Sequence, residues 1–335
     1  MKRILALLLV LVLALTAFVG CNKKDDDKDN GGSNNGNNGN TDGTTDDDDE
    51  TPSEKSYSLA IGVVTNENIE SCAVTETVAV IVTDKDGKVV LCRLDCIDYD
   101  MAECEDEAPL SKVAQGDDYD PYGVMAAGDW YVQSAFLESY VVGKTQSEIA
   151  LLAGADGKAA DAALKAGCTI GITDLLAAID KAFESEHKVS FKSTASAFTA
   201  GLSVTGSVGV EEDEGFNVSF TVDYAAAILA GGKVVAGIID TAEVTFVNVA
   251  VDEDDVYSAE EFDNAGTKRE QGDDYDAWAP MAAGRWYQQV DAYAAAAKGL
   301  TKDNIASLAS SGVAGCTIYA GGYHAAIVAA VNGAR

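Results

Sequence analysis

Two short acidic segments contain residues whose types and spacing are suited to metal binding. Gln-Gly-Asp-Asp-Tyr-Asp occurs at residues 115–120 and again at residues 271–276. Carboxylates gathered on one turn can bind Ca²⁺ through their oxygens, although these segments lack the alternating ligands and final glutamate of an EF-hand loop. The alternative is a solvated turn whose acids favour the N-terminus of the next helix. The predicted metal ligands are Asp117, Asp118, Asp120, Asp273, Asp274 and Asp276.

An aromatic pair follows each acidic segment, Trp130-Tyr131 in one case and Trp286-Tyr287 in the other. One ring of each pair is expected to face a sheet, which leaves the other free. A free aromatic ring beside an acidic loop can stack on a flavin or a sugar. The alternative for the tryptophans is packing in the core.

A third repeated segment, Ala-Gly-Cys-Thr-Ile, occurs at residues 166–170 and 314–318. Together with the Asp-Gly-Lys-Val hairpin at 86–89, it resembles the FMN-binding domain of flavin-carrying redox subunits and extracellular electron-transfer lipoproteins. In that family, a Ser-Gly-Ala-Thr segment carries FMN esterified to the threonine hydroxyl. The resemblance implies an FMN site, and Trp130 and Trp286 are the aromatic residues predicted to stack on its ring. The acceptors would be Thr169 and Thr317, with Gly167 and Gly315 allowing close approach of the backbone.

The same segments differ from the family pattern, which leaves a structural alternative open. Ala166 and Ala314 stand at the family serine, and Cys168 and Cys316 at the family alanine. The alternative is a tight loop whose threonine packs against or caps a helix. More generally, the chain resembles duplicated surface lipoproteins of anaerobic Gram-positive bacteria.

The cysteines outside the N-terminal region allow several interpretations. Cys72, Cys92, Cys96 and Cys104 lie near predicted strands, and Cys92 and Cys96 are expected on one strand face. A disulfide among these four, free thiols, and a metal site at positions 92, 96 and 104 are the alternatives. Cys168 and Cys316 are expected to be small buried residues.

The sequence gives little support for catalysis by a hydrolase. Histidine occurs only at His187, in a predicted linker, and at His324, which has no counterpart in the first copy. The sequence has no Gly-x-Ser-x-Gly, His-Glu-x-x-His or phosphate-loop motif. A non-catalytic binding protein is therefore favoured over an enzyme, and the flavin-carrying electron-transfer lipoprotein is the second hypothesis.

The repeated segments occur in the same order in both halves, which indicates a tandem duplication. Met-Ala-Ala-Gly-x-Trp-Tyr at 125–131 recurs at 281–287, and Gly-Lys-Val-Val at 87–90 recurs at 232–235. The predicted units are residues 57–188 and residues 189–335. Each is predicted as α+β, an antiparallel sheet followed by helices packed on one of its faces.

Local patterns place the elements of each unit. Strands are predicted at 59–65, 77–83 and 88–95, and at 200–210, 216–229 and 233–251. Helices are predicted at 126–142, 146–153 and 173–183, and at 282–298, 302–310 and 322–332. Residues 187–194 are predicted to be a linker.

The N-terminus has the pattern of an exported lipoprotein. Lys2 and Arg3 precede an apolar stretch, which ends in Phe-Val-Gly before Cys21 and resembles a bacterial lipobox. Residues 1–20 are predicted to be a signal peptide, and Cys21 the lipidated residue. Residues 21–56 are predicted to be a disordered acidic tether. The expected location is the extracellular face of the cell membrane, with the lipid as the membrane contact.

The net charge of −32 restricts the partners of the folded part. Nucleic acids and anionic lipid surfaces are also negative, so the sequence excludes them as direct partners. An unidentified ligand or protein partner is left.

Overall fold

The computed structural model describes residues 53–104, 107–120, 122–211, 216–253, 256–278 and 281–335. The predicted signal peptide, the lipidated Cys21 and nearly all of the predicted tether lie outside the described residues. The described chain is mixed α+β with antiparallel sheets, as the sequence predicted. It forms one compact unit.

Two four-stranded antiparallel sheets form the centre of the protein. The first has the order β3-β2-β1-β4 and the second the order β10-β7-β6-β5. Their strands are β1 (Lys55–Asn68), β2 (Ala73–Asp84), β3 (Val89–Asp100), β4 (Val189–Ser193), β5 (Thr199–Glu211), β6 (Asn217–Ala230), β7 (Lys233–Val247) and β10 (Glu261–Asn264). A two-stranded ribbon contains β8 (Ala250–Val251) and β9 (Tyr257–Ser258).

Helices accompany each sheet in chain order. The first group is α1 (Met101–Cys104), α2 (Lys112–Gln115), α3 (Trp130–Val141), α4 (Gln146–Ile149), α5 (Ala162–Lys165) and α6 (Thr173–Glu184). The second is α7 (Lys268–Gln271), α8 (Trp286–Ala295) and α9 (Gly321–Gly333). Short 3₁₀ turns occur at Gly116–Asp118 and Ile305–Ser307.

The two sheets share one apolar core, so the body has four layers: helices, sheet, sheet and helices. Alternate residues of β1 such as Leu59 and Ile61 join the same buried cluster as Phe220 and Val222 of β6. Tyr99 of β3 stacks on Phe220 across the layers, with ring centroids 4.9 Å apart. Each sheet packs its other face against its own helices. The two predicted units are thus held together by the burial of large apolar side chains between them.

Two predicted elements differ from the structure. The predicted linker at 187–194 contains β4, which pairs with β1 and extends the first sheet. Phe191 of β4 stacks on Tyr57, so apolar side chains within this polar stretch draw it into the sheet. The helix predicted at 302–310 is reduced to the 3₁₀ turn beginning at Ile305. By contrast, α4 begins at residue 146 as predicted, and Thr145 and Glu148 form a capping box there.

Candidate functional site

A buried aspartate holds a short helix against the sheet in each half. Asp95 of β3 accepts hydrogen bonds from the Ser111 hydroxyl (2.7 Å) and the Val113 N–H (3.0 Å) at the start of α2. Asp240 of β7 accepts one from the Arg269 N–H (3.0 Å) at the start of α7. Burial raises the pKa of both carboxyl groups to about 6, against the lowering effect of their hydrogen bonds. These contacts fix the position of the lysine that each helix carries.

In the first half, that lysine is Lys112, whose ammonium group lies between aromatic rings and a carboxylate. Its Nζ lies 2.9 Å from Asp98, and its side chain is 13% exposed. It also lies 5.0 Å from the ring centroid of Tyr119 and 5.8 Å from that of Trp130. Burial alone would lower the pKa of Lys112, but Cys96 and Asp98 outweigh that effect and raise the pKa. The group is therefore a fixed cation with a single carboxylate partner.

In the second half, Lys268 of α7 occupies the equivalent place. Its Nζ lies 5.1 Å from the ring centroid of Tyr275 and 5.8 Å from that of Trp286. Burial opposes the charge here too, but Tyr323, Tyr275 and Glu243 raise the pKa of Lys268. Because both amines are held in the charged form, they are suited to charge recognition rather than to nucleophilic chemistry.

The second site has polar groups that the first lacks. The Thr241 hydroxyl donates to Asp223 at 2.7 Å, and Trp286 Nε1–H donates to the Tyr323 hydroxyl at 3.3 Å. Tyr323 lies in the first turn of α9, close to Lys268. Burial raises the pKa of Asp223, and both Thr241 and Lys268 oppose that shift.

The structure places the two threonines of the FMN-like segments in matching contacts. Thr169 donates through its backbone N–H (2.7 Å) and its hydroxyl (3.1 Å) to Gln133 Oε1. Thr317 donates in the same way to Gln289 Oε1, at 2.8 and 2.9 Å. Thr169 is half-buried and Thr317 is exposed. Each hydroxyl proton thus has a partner inside the protein.

The other residues predicted to contact a flavin are two glycines and two tryptophans, and each has a structural role in the fold. The Phe136 ring fills the space beside Gly167, where an added Cβ would lie 2.5 Å from the ring. Trp130 and Trp286 are buried between helix and sheet, with 6% and 3% of their surfaces exposed. The Gly315 backbone has φ +83°, so glycine is needed there for its conformation. Flavin attachment stays a prediction, and an FMN-sized mass increment that disappears in the double variant Thr169→Ala, Thr317→Ala would establish it.

We expect Gln289→Ala to lower the free energy of unfolding by about 2 kcal/mol, since it leaves the Thr317 N–H without its acceptor. Gln133→Ala should cost at least as much, because Gln133 Oε1 also accepts from the Ile170 N–H. Urea denaturation measures both effects. Gln288→Ala on the same helix is the matched control, because Gln288 is exposed and only caps Arg285. Equal losses in the adjacent variants Gln288→Ala and Gln289→Ala would contradict the role given to Gln289.

The predicted calcium ligands are brought into turns but are directed to different partners. Asp120 accepts from the Met125 N–H at 2.9 Å, and Asp276 accepts from the Trp286 N–H at 2.8 Å. Asp117 and Asp273 accept from the hydroxyls of the tyrosines at 131 and 287. Asp118 and Asp274 are exposed. Within the described ranges, no three acidic, histidine or cysteine side chains are grouped to hold a metal ion. Asp276 thus stabilises the first residue of α8, whereas Asp120 holds the turn that precedes α3.

The cysteines and histidines also have structural surroundings. All six described cysteines are free thiols, and Cys92 and Cys96 share the helix-facing side of β3, as expected. Cys168 is buried, and so is Cys316. The His187 ring lies on Tyr287, with centroids 4.0 Å apart. His324 Nδ1 lies 3.0 Å from the Tyr293 hydroxyl.

Sequence reasoning missed the residues that organise these sites: Lys112, Lys268, Gln133 and Gln289. A signal was present, because each lysine stands three residues before the Gln that begins the acidic segment. Each of the two glutamines stands three residues after the repeated tryptophan. These four residues recur singly, outside the longer identical segments on which the predictions were based.

Comparison with protein-family models, curated proteins and solved structures finds no significant match. Among the described helices, none is long and apolar enough to cross a membrane.

Proposed function

We propose that this chain is a lipid-anchored extracellular protein whose folded body is a non-catalytic binding module. The observation that carries the proposal is the Gly20-Cys21 junction, which follows a basic start and an apolar stretch. The polar, acidic residues beyond it are suited to a tether between the anchor and the body. The charged lysines in the two sites support recognition rather than catalysis.

Replacing Cys21 with serine is expected to move the protein from the membrane fraction to the soluble fraction, because the lipid acceptor is lost. The measurement is fractionation of cells that express the full chain, followed by immunodetection. Cys104→Ser is the matched control, since Cys104 is a partly buried residue of the body. Retention of the Cys21→Ser variant in membranes, at the level of the control, would refute the anchor.

We also propose that the two halves are copies of one ancestral unit. Matched contacts support this: Asp95 and Asp240 anchor equivalent helices, and Lys112 and Lys268 lie over equivalent ring pairs. The copies then joined through their sheets, which gives a body with two related but unequal sites. This inequality is relevant to binding, since one site can stabilise the fold while the other accepts a ligand.

A further inference from the structure

A cavity of about 250 Å³ opens beside Lys268 in the second half. Its lining includes Glu243 and Thr245 of β7, Asp263 of β10, Lys268 and Gln271 of α7, and Tyr275. The volume is slightly below the range of pockets for drug-sized ligands, so a small molecule is the appropriate size. Polar groups line most of the wall, with the tyrosine ring as an apolar surface.

At the equivalent place in the first half, the side chains bind one another. Asp98 and Glu243 each lie three residues after the buried aspartate of their strand. Asp98 binds Lys112 at 2.9 Å and accepts from the Thr75 hydroxyl at 2.9 Å. Glu243 forms no hydrogen bond or close ion pair with any described residue and is exposed at the cavity.

The charge balance also differs between the two sites. In the first, Lys112 faces the single carboxylate of Asp98. Asp223 and Thr77 occupy equivalent positions, because each comes just before the residue that pairs with the buried aspartate of the neighbouring strand. The second half therefore has a carboxylate where the first has a hydroxyl. Lys268 lowers the pKa of Asp223, and Glu243, which borders the same cavity, raises the pKa of Lys268.

Strand β10 adds another carboxylate to the second site. Asp263 lies opposite Thr245 in the β10–β7 pairing and borders the cavity. In the first sheet β3 is an edge strand, and no described strand covers it. The cavity is thus bordered by two carboxylates, Glu243 and Asp263, and by the one ammonium group of Lys268, an excess of negative charge that the Lys112–Asp98 pair of the first half does not have.

We propose that this cavity binds a small organic ammonium ion, an alkyl amine or diamine. Glu243 and Asp263 would accept hydrogen bonds from the ammonium group of the ligand, and its alkyl stem would pack on the Tyr275 ring. Lys268 keeps the binding weak and disfavours a compact divalent metal ion, which needs several anionic ligands without a competing cation. The inference rests on the proposed binding role and specifies the class of ligand.

The test is isothermal titration calorimetry of the full chain in mild detergent at low ionic strength. The probes are putrescine, its neutral analogue butanediol, and calcium chloride. We expect saturable binding of putrescine, and no saturable binding of butanediol or calcium. Glu243→Gln and Asp263→Asn should each weaken it roughly fivefold, the effect of losing one exposed charge pair. Both side chains are exposed, so the variants should fold, and a thermal melt confirms this.

Two control variants distinguish the cavity from general attraction to an acidic protein. Asp98→Asn changes the equivalent residue of the first half, and Glu261→Gln removes an exposed charge from β10 outside the cavity lining. Both should bind putrescine like the unaltered protein. Equal weakening in the controls, or no saturable binding of putrescine, would overturn the proposal. Preferential binding of calcium or butanediol would overturn the ligand class. The anchor is tested separately by fractionation, so either proposal can fail alone.

Discussion

Replacing Gly201 with alanine should lower the free energy of unfolding by about 3 kcal/mol. Gly201 lies in β5 directly under α9, and an added Cβ would lie 1.8 Å from the Ala330 carbonyl oxygen. That atom belongs to the helix backbone, so the whole helix must move away from the sheet. Gly62 of β1 lies under α6 in the same way, with an added Cβ 2.3 Å from the Ala178 carbonyl oxygen. Gly62→Ala is therefore expected to have a similar effect.

Thermal and urea denaturation of both variants give the measurement, and Gly333→Ala is the matched control. Gly333 lies at the end of α9 with no atom within 4 Å of an added Cβ. Alanine there should be neutral or stabilise by up to about 1 kcal/mol, because it favours the helix. Unfolding of Gly201→Ala at the same denaturant concentration as Gly333→Ala would contradict the close contact between α9 and β5.

The second large effect is a loss of stability as the pH rises from about 5 to 8, centred on Glu76. This carboxyl group is fully buried in β2 and accepts hydrogen bonds from the Thr65 hydroxyl (3.0 Å) and the Tyr224 hydroxyl (3.2 Å). Burial raises its pKa from the usual 4.5 to about 7, although both hydroxyls and Lys181 of α6 oppose the shift. Glu270 of α7 also faces it and adds to the increase.

The direction follows from proton binding. Between pH 4.5 and about 7, the folded protein holds a proton on Glu76 that the unfolded chain has released. The contribution of Glu76 to the free energy of unfolding is therefore fully present below pH 4.5 and is lost as the pH rises through about 7. The difference between the two pKa values corresponds to about 3 kcal/mol. Asp95 and Asp240, with pKa values raised to about 6, act in the same direction.

Glu76→Gln separates the contribution of this residue from the others. The amide cannot ionise, so the variant should be more stable than the unaltered protein at pH 8 and no more stable at pH 5. Glu67→Gln removes an exposed charge from the same sheet and should leave the pH profile unchanged. Urea denaturation at several pH values provides the comparison. A Glu76→Gln profile parallel to that of the unaltered protein would show that Glu76 does not titrate in this range.

Strands and helices were largely predictable because their signals are local. β-branched stretches flanking turns gave β2 and β3, and helical spacing after the repeated Trp-Tyr pairs gave α3 and α8. The capping box at Thr145 is set by residues three positions apart and needed no knowledge of the fold. The position of β4 was not predictable, since its five residues pair with a strand more than a hundred positions earlier.

The sequence by itself determined the repeated order of elements and the acidic character of the chain, and it specified the N-terminal pattern that the anchor proposal rests on. Tertiary structure decided that the two sheets share one core, because burial between them depends on which faces meet, and both faces of these strands are apolar. It also decided that the repeated lysines lie over aromatic rings and that a cavity opens beside Lys268. The charge around Lys268 depends on single residues, such as Asp223 where the first half has Thr77, whose effect appears only where distant strands and helices meet.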